Sequence, residues 1–285
     1  MNSIERVGVV GAGQMGSGIA EVAVKAGADV LVYDTDEKFT ASGQSRITGS
    51  LDKAVAKGKL SAEDRDAALG RLRFTTDLAD LADRQLVIEA VIEDEDVKTA
   101  IFAQLDAIVT DPDAVLASNT SSIPIMKIAA ATANPGRVLG LHFFNPVPVL
   151  PLVELVSTLV TDPAAAERVE EFAGRTLGKQ VVKCSDRSGF VVNFLLVPYL
   201  LAAIRMVEAK VATIDDVDKA VVAGLSHPMG PLRLSDLIGL DTLKLIADKM
   251  FDEFKEPLYT APSLLLRMVE AGQLGKKSGQ GFYSY

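Results

Sequence analysis

Short runs of β-branched residues alternate with longer amphipathic segments in the first part of the chain. Two of the longer segments, Gly16–Ala26 and Phe39–Lys57, have the apolar spacing of helices. Strands separated by helix-length segments indicate right-handed crossovers and a parallel sheet. The predicted strands of this sheet are Val7–Val10, Val30–Tyr33, Leu86–Ile88, Val115–Ala117, Val138–Phe143, Leu152–Val156 and Gln180–Lys183.

Strand patterns stop after about Ser185, and helical patterns separated by glycine and proline take over. The predicted helices are Phe190–Ala209, Ile214–Ala223, Leu240–Phe254 and Ser263–Ala271. The first of them is apolar on nearly every face, which requires burial on all sides. We therefore expect a second copy of the chain to cover part of it, because closed twofold dimers are the commonest assemblies. The alternative is that the other C-terminal helices of the same chain cover it completely.

A glycine-rich loop, G-A-G-Q-M-G at Gly11–Gly16, lies between the first predicted strand and the first predicted helix. Such glycines permit a tight turn and let backbone N–H groups approach a pyrophosphate at a helix N-terminus. Asp34 ends the second strand, where a carboxylate accepts hydrogen bonds from the adenosine ribose and repels a 2′-phosphate. The alternative is a strand–turn–helix junction whose glycines serve packing alone. The order of strand, loop, helix and acid favours an NAD site.

These patterns predict an α/β protein in two domains. Residues 1–186 would form a Rossmann-type, mostly parallel sheet domain that binds NAD. Residues 187–285 would form an all-α C-terminal domain for substrate binding and dimerisation.

Composition narrows the class of protein. Hydrophobic residues make up 48% of the 285 residues and charged residues 24%, which excludes disorder as the main state. The single cysteine, Cys184, excludes a disulfide scaffold, and together with two histidines it cannot supply a closed zinc site. The net charge of −9 argues against nucleic acid or an anionic membrane as the main partner.

The chain shows no pattern typical of a secretory leader or of a membrane span. Its most apolar segment, Leu195–Ile204, is about half the length that a bilayer requires. We therefore expect a cytoplasmic protein in a reducing compartment.

Two histidines could act as the base that an alcohol dehydrogenase needs. His227 lies in a proline-rich turn of the helical part, which favours a surface or packing role. His142 lies where a strand runs into a loop closed by Pro146, the place where open α/β sheets bind ligands. Glu154 interrupts an apolar strand and would need a partner there. The spacing leaves open whether these two residues pair, or whether His142 is a core residue and Glu154 faces solvent.

The segment Ser118–Ser122, S-N-T-S-S, follows a strand and offers hydroxyl and amide groups to a nicotinamide, a ribose or a substrate oxygen. Helix N-termini use the same residue types as caps, so this alternative stays open.

Together these segments resemble the L-3-hydroxyacyl-CoA dehydrogenase family, in particular its short 3-hydroxybutyryl-CoA members, over essentially the whole chain. The matching segments are Gly11–Gly16, Glu89–Glu93, Ser118–Ser122, His142–Pro146 with Glu154, Gly189–Asn193 and Gly275–Tyr283. The resemblance implies that His142 is the general base with Glu154 as its partner, and that Ser121 and Asn193 hold the substrate oxygens and the histidine. The implied NAD-binding residues are Gly11, Gly13, Gln14, Met15, Gly16, Asp34, Glu93, Lys98, Ser121 and Asn145. The implied substrate-binding residues are Ser50, Lys57 and Ser121.

A physical argument supports the coenzyme A residues. Coenzyme A is strongly anionic and the chain is acidic, so its phosphates require local cations. The densest basic group in the first half consists of Arg46, Lys53, Lys57 and Lys59. An ordinary solvated helix face is the alternative.

We therefore expect NAD-dependent oxidation of the 3-hydroxyl of a short L-3-hydroxyacyl-CoA, and reduction of the ketone in reverse. One rival is a related dehydrogenase of a free 3-hydroxy or sugar acid, which would not need the Lys57 group. A second rival is a crystallin-like protein that keeps NAD but not catalysis, and the presence of His142, Glu154, Ser121 and Asn193 argues against it.

Overall fold

The computed structural model describes residues 3–285. The chain divides into two compact units, the first ending at Arg187 and the second comprising Ser188–Tyr285. Each unit has its own buried apolar core.

The first unit is built on one sheet whose strands lie in the order β3-β2-β1-β4-β5-β6-β7-β8. The ladder from β3 to β6 is parallel throughout, as the alternation of strands and helices predicts. The strands are β1 (Arg6–Val10), β2 (Asp29–Tyr33), β3 (Leu72–Thr75), β4 (Leu86–Glu89), β5 (Val115–Ser118), β6 (Val138–Phe143), β7 (Leu152–Ser157) and β8 (Gln180–Ser185).

Strand direction reverses once among the described residues, because β7 runs antiparallel to β6. The predicted Rossmann-type, mostly parallel sheet is confirmed. The reversal fixes a cross-strand register in which His142 stands opposite Glu154.

Helices of the first unit pack on the sheet through apolar faces such as that of Ile19 and Ala23 on α1. They are α1 (Gln14–Lys25), α2 (Glu37–Ala56), α3 (Ala62–Gly70), α4 (Glu95–Ile108), α5 (Ile125–Ala130) and α6 (Pro163–Glu171). Several begin at the side-chain caps that helix N-termini favour: Asp36, Ser61, Asp94 and Asp162 each accept a hydrogen bond from a backbone N–H of the first turn.

The second unit is helical, as predicted, with α7 (Val192–Glu208), α8 (Ile214–Leu225), α9 (Pro231–Ile238), α10 (Leu240–Phe254) and α11 (Ser263–Glu270). Helix α7 begins two residues later than expected, because Phe190 has a φ of 47° and cannot belong to a right-handed helix. Two buried carboxylates tie the C-terminal segment to these helices. Asp236 accepts hydrogen bonds from the backbone N–H groups of Phe282 and Tyr283, and Asp218 accepts one from the Tyr283 hydroxyl.

In the part of the chain that the structure describes, no helix combines the length and the apolar character that crossing a membrane requires.

Candidate active site

The glycine-rich loop joins β1 to α1 with the geometry that its sequence predicts. Gly11 has a φ of 103°, which side chains rarely adopt. A Cβ on Gly16 would lie 1.8 Å from the Gly11 carbonyl oxygen, so this close approach requires glycine. Gly13 is the N-cap of α1, and apart from Gly13 and its chain neighbours no heavy atom lies within 4 Å of the position that its Cβ would take. The loop therefore leaves open space at the positive end of a helix, which fits a pyrophosphate.

The two side chains inside this loop point to different surroundings. Met15 packs against the apolar core of the first unit. Gln14 is exposed, and its amide donates a hydrogen bond to the side-chain oxygen of Asn145.

Asp34 supports the same loop from the end of β2. One carboxylate oxygen accepts a hydrogen bond of 2.8 Å from the Ala12 backbone N–H, and the other accepts one of 2.8 Å from Thr35 N–H. The side chain is half-buried, and each carboxylate oxygen can accept a further hydrogen bond. The carboxylate thus fits the ribose hydroxyls of an adenosine.

A buried ionic cluster lies beyond the carboxyl ends of β4 and β5. The Lys98 ammonium, 1% exposed, lies 2.6 Å from Glu89 Oε1 and 3.4 Å from Glu93 Oε2. Glu89 also accepts hydrogen bonds from Val91 N–H and the Ser118 hydroxyl. This end of a parallel sheet is where ligands bind in open α/β folds.

Glu93 organises the polar segment that follows β5. Its Oε1 accepts hydrogen bonds from the Thr120 and Ser122 hydroxyls and from the backbone N–H of Ser121. Burial raises the pKa of Glu93, but the charge of Lys98 and these hydrogen bonds outweigh that effect and lower it below its ordinary value. Glu93 is therefore an ionised acceptor that holds Ser121 in place.

His142 and Glu154 face each other across the antiparallel pair of strands. The His142 Nδ1 atom lies 2.7 Å from Glu154 Oε2, and the side chains are 8% and 0% exposed. A carboxylate on Nδ1 favours the tautomer that carries its proton on Nδ1, so that Nε2 is the basic nitrogen. Phe144 packs on the histidine with ring centroids 4.5 Å apart. The structure therefore pairs His142 with Glu154, which the sequence alone did not decide.

Two of the three predicted substrate residues, Ser50 and Lys57, lie on α2 or at its end, whereas Ser121 follows β5. Ser50 is half-buried and lines a cleft together with Gln14 and Asn145. Lys57 is the exposed C-cap of the same helix and does not line that cleft.

The predicted site residue Asn193 belongs to the second unit, as does His227, which was predicted to have a surface or packing role. Asn193 lies in the first turn of α7. His227 lies beyond the end of α8, where its exposed ring contacts the Tyr199 hydroxyl at 3.4 Å.

Comparison with known proteins decides the family. The model of the 3-hydroxyacyl-CoA dehydrogenase NAD binding domain matches residues 6–187, and that of the 3-hydroxyacyl-CoA dehydrogenase C-terminal domain matches residues 189–285. The chain belongs to the 3-hydroxyacyl-CoA dehydrogenase family. It is an NAD-dependent oxidoreductase.

Similar members of the 3-hydroxyacyl-CoA dehydrogenase family match the full length. A 3-hydroxybutyryl-CoA dehydrogenase of Mycobacterium tuberculosis is 76% identical over 284 residues, which cover 100% of this chain and 99% of the relative. The crystal structure of M. tuberculosis FadB2 is also 76% identical and superposes with a TM-score of 0.98 over 100% of both chains. The (S)-3-hydroxybutyryl-CoA dehydrogenase PaaH1 of Ralstonia eutropha is 40% identical, with a TM-score of 0.95 over 99% of both chains.

Two residues of the segments singled out above, Glu89 and Asn119, make contacts that the sequence did not predict. Glu89 is fully buried and binds Lys98, and the Asn119 side chain accepts a 2.8 Å hydrogen bond from the backbone N–H of Phe143, next to His142. Glu89 could have been found, because it is a carboxylate at the end of an apolar strand, as Glu154 is. The sequence around Asn119 does not indicate that its side chain accepts a hydrogen bond from the backbone of β6.

Proposed function

We propose that the chain oxidises the 3-hydroxyl of 3-hydroxybutyryl-CoA and reduces acetoacetyl-CoA in the reverse direction. The observation that carries this proposal is the buried contact between His142 and Glu154 beside the polar segment Ser118–Ser122. The full-length similarity to 3-hydroxybutyryl-CoA dehydrogenases supports the choice of substrate.

In the proposed mechanism His142 is the general base. Its Nε2 accepts the proton of the 3-hydroxyl, and Glu154 on Nδ1 orients the ring and stabilises the imidazolium that forms. In the reverse direction the imidazolium returns this proton to the oxygen of the ketone. Burial of both side chains supports this role, because a pair shielded from water keeps one orientation.

Ser121 and Asn193 complete the proposed catalytic set. Ser121 would donate a hydrogen bond to a substrate oxygen, and Glu93 and its neighbours fix the backbone that carries it. The family resemblance assigns Asn193 a part in holding the substrate and the histidine.

The NAD site would consist of the glycine loop and the polar groups beyond the sheet. When bound, NAD supplies the acceptor for the hydride that leaves the substrate carbon. The open space at Gly13 and the carboxylate of Asp34 fit its pyrophosphate and ribose. The residues proposed for the NAD site are Gly11, Gly13, Gln14, Met15, Gly16, Asp34, Glu93, Lys98, Ser121 and Asn145.

Ser50 and Lys57 would bind the coenzyme A part of the substrate. Both residues lie on α2, with the exposed cations Arg46, Lys53 and Lys59 on or beside the same helix. A free hydroxy acid has no phosphates to neutralise, so these cations favour a coenzyme A thioester.

We also propose a cytoplasmic homodimer. The second unit itself buries Leu200, Leu201 and Ile204 of α7. Leu195 on α7 and Leu225 at the end of α8 stay 67% and 61% exposed in a single chain. Burial of such a surface in a second copy is the simplest remedy. The second unit would thus serve substrate binding and dimerisation. Light scattering at micromolar concentration tests this, and a species of the mass of one chain would contradict it.

The absorbance of NADH in the presence of acetoacetyl-CoA tests the main proposal. Oxidation of NADH with acetoacetyl-CoA, and little oxidation with free acetoacetate, would support it. Activity with the free acid alone would favour the rival hydroxy-acid dehydrogenase. Binding of NADH without turnover of either compound would favour a non-catalytic protein.

A further inference from the structure

A cleft opens on the first unit between α1, α2 and the loop that follows β6. Its cavity volume is about 160 Å³. Its polar lining includes Gln14, Glu21, Arg46, Ser50 and Asn145. The cleft therefore connects the side chain proposed for coenzyme A, Ser50, to the loop that follows His142.

Glu21 is the one of these lining residues with no part in the proposed mechanism. Its side chain projects from α1 and only 4% of the residue is exposed. Burial raises the pKa of the Glu21 carboxyl, while a hydrogen bond with Ser50 and the charge of Lys25 lower it in part. A carboxylate has about four acceptor sites, so the hydrogen bond with Ser50 leaves Glu21 able to accept a further hydrogen bond from a ligand in the cleft.

The spacing of four polar residues on α2 indicates the direction in which a bound ligand would lie. Arg46, Ser50, Lys53 and Lys57 are four, three and four residues apart, so they share one face of the helix. At about 1.5 Å per residue, Ser50 and Lys57 are roughly 10 Å apart along the axis. A ligand whose phosphates bind at Lys57 and whose acyl end lies near Asn145 would pass Ser50 and Glu21 between them.

We propose that Glu21 recognises the pantetheine arm of the acyl-CoA by a hydrogen bond to one of its amide groups. This inference rests on the proposed function, since it needs a coenzyme A substrate. An amide offers both a donor and an acceptor, and a carboxyl group can pair with either. Glu21 is then a specificity residue, which favours thioesters that carry the arm over those that lack it.

The test compares two ligands that share a nucleotide end. Coenzyme A carries the pantetheine arm, whereas adenosine 3′,5′-bisphosphate lacks it. Calorimetry measures the Kd of both ligands for the wild type, Glu21→Met and Glu21→Gln. Methionine keeps the length of the side chain and removes the hydrogen bond, while glutamine keeps a donor and an acceptor. NADH binding and Tm serve as controls for folding, and Glu21→Leu repeats the test with another shape.

We expect Glu21→Met to weaken coenzyme A binding about 3- to 10-fold, the usual effect of one hydrogen bond, and to leave the bisphosphate unchanged. The Kd of Glu21→Gln for coenzyme A should stay within about threefold of the wild-type value. Unchanged coenzyme A binding in Glu21→Met, or equal changes for both ligands, would overturn the inference. If the wild type itself does not bind coenzyme A, the proposed function fails first. Lys57→Met should weaken the binding of both ligands, because both carry the phosphates that Lys57 is proposed to bind. This result would distinguish the contribution of the phosphates from that of the pantetheine arm.

Discussion

The Gln14 amide donates a hydrogen bond to the Asn145 side-chain oxygen across 3.0 Å, although the residues are 131 positions apart. One residue belongs to the glycine loop and the other follows the strand that carries His142. The bond thus joins the proposed NAD loop to the segment that follows the strand of the proposed base. We expect Gln14→Leu and Asn145→Ala to weaken NADH binding non-additively, with a coupling of about 0.5–1 kcal/mol in a double-mutant cycle. Additive effects would mean that the bond does not contribute to binding.

His142→Gln should lose about 10²–10⁴-fold in kcat, because it removes the proposed general base. NADH binding should survive, since the histidine does not belong to the glycine loop. Stopped-flow or steady-state reduction of acetoacetyl-CoA measures the loss. His227→Gln is the matched control, because that ring is exposed in the second unit and has no proposed role. A His142→Gln variant with wild-type turnover would exclude this residue as the base.

Glu154→Gln should lower kcat by between about 10-fold and 10⁴-fold without a matching rise in KM. Glutamine no longer stabilises a charged histidine and can present its amide to Nδ1, which favours the wrong tautomer. The effect should nearly vanish in a His142→Gln background, because the carboxylate acts through the ring. Full additivity of the two substitutions would contradict this positioning role.

Asp34→Ser should narrow the preference for NADH over NADPH, measured as the ratio of the two kcat/KM values. The carboxylate repels a 2′-phosphate, and serine removes that charge. The substitution should also lower Tm, since Asp34 accepts the hydrogen bond of Ala12 N–H that braces the loop. A wild type that uses NADPH better than NADH would refute the role of Asp34.

Cys184 should react slowly with thiol reagents in the folded protein. Burial, together with the charges of Glu154 and Asp186, raises the pKa of the Cys184 thiol to about 12. At pH 8 the thiol is then almost wholly protonated, whereas an unfolded cysteine with a pKa of about 8.5 is partly ionised. Modification by a chromogenic disulfide should accelerate at least about 100-fold in denaturant. Rapid modification of the folded chain would show that Cys184 is more accessible and more acidic than the structure indicates.

Local patterns were sufficient to predict the first βαβ unit, because its glycines, strand and acid lie within one short stretch. They were also sufficient for the helices of the second unit, except α9, which is short and begins with Pro231. Strand β3 (Leu72–Thr75) was missed because it is a half-exposed edge strand of mixed polarity.

Contacts between distant segments could not be read from the sequence. The pairing of His142 with Glu154 depends on the direction and register of β7, which an apolar strand pattern does not specify. Lys98 looks like an ordinary helix residue, and its burial against Glu89 follows from the packing of α4. The cleft beside Glu21 arises only when α1, α2 and the loop after β6 come together.

The reversal of β7 has an evolutionary consequence. Because β6 and β7 are adjacent and antiparallel, the histidine and its carboxylate come from one local hairpin and are inherited together. Changes of residue within 146–151 leave this pair in register, although Val147 is itself buried in the core. A single-residue insertion between Leu152 and Glu154 would instead turn the carboxylate to the other face of the sheet. The pair is therefore more sensitive to an insertion in β7 than to a change of residue in the loop between the two strands.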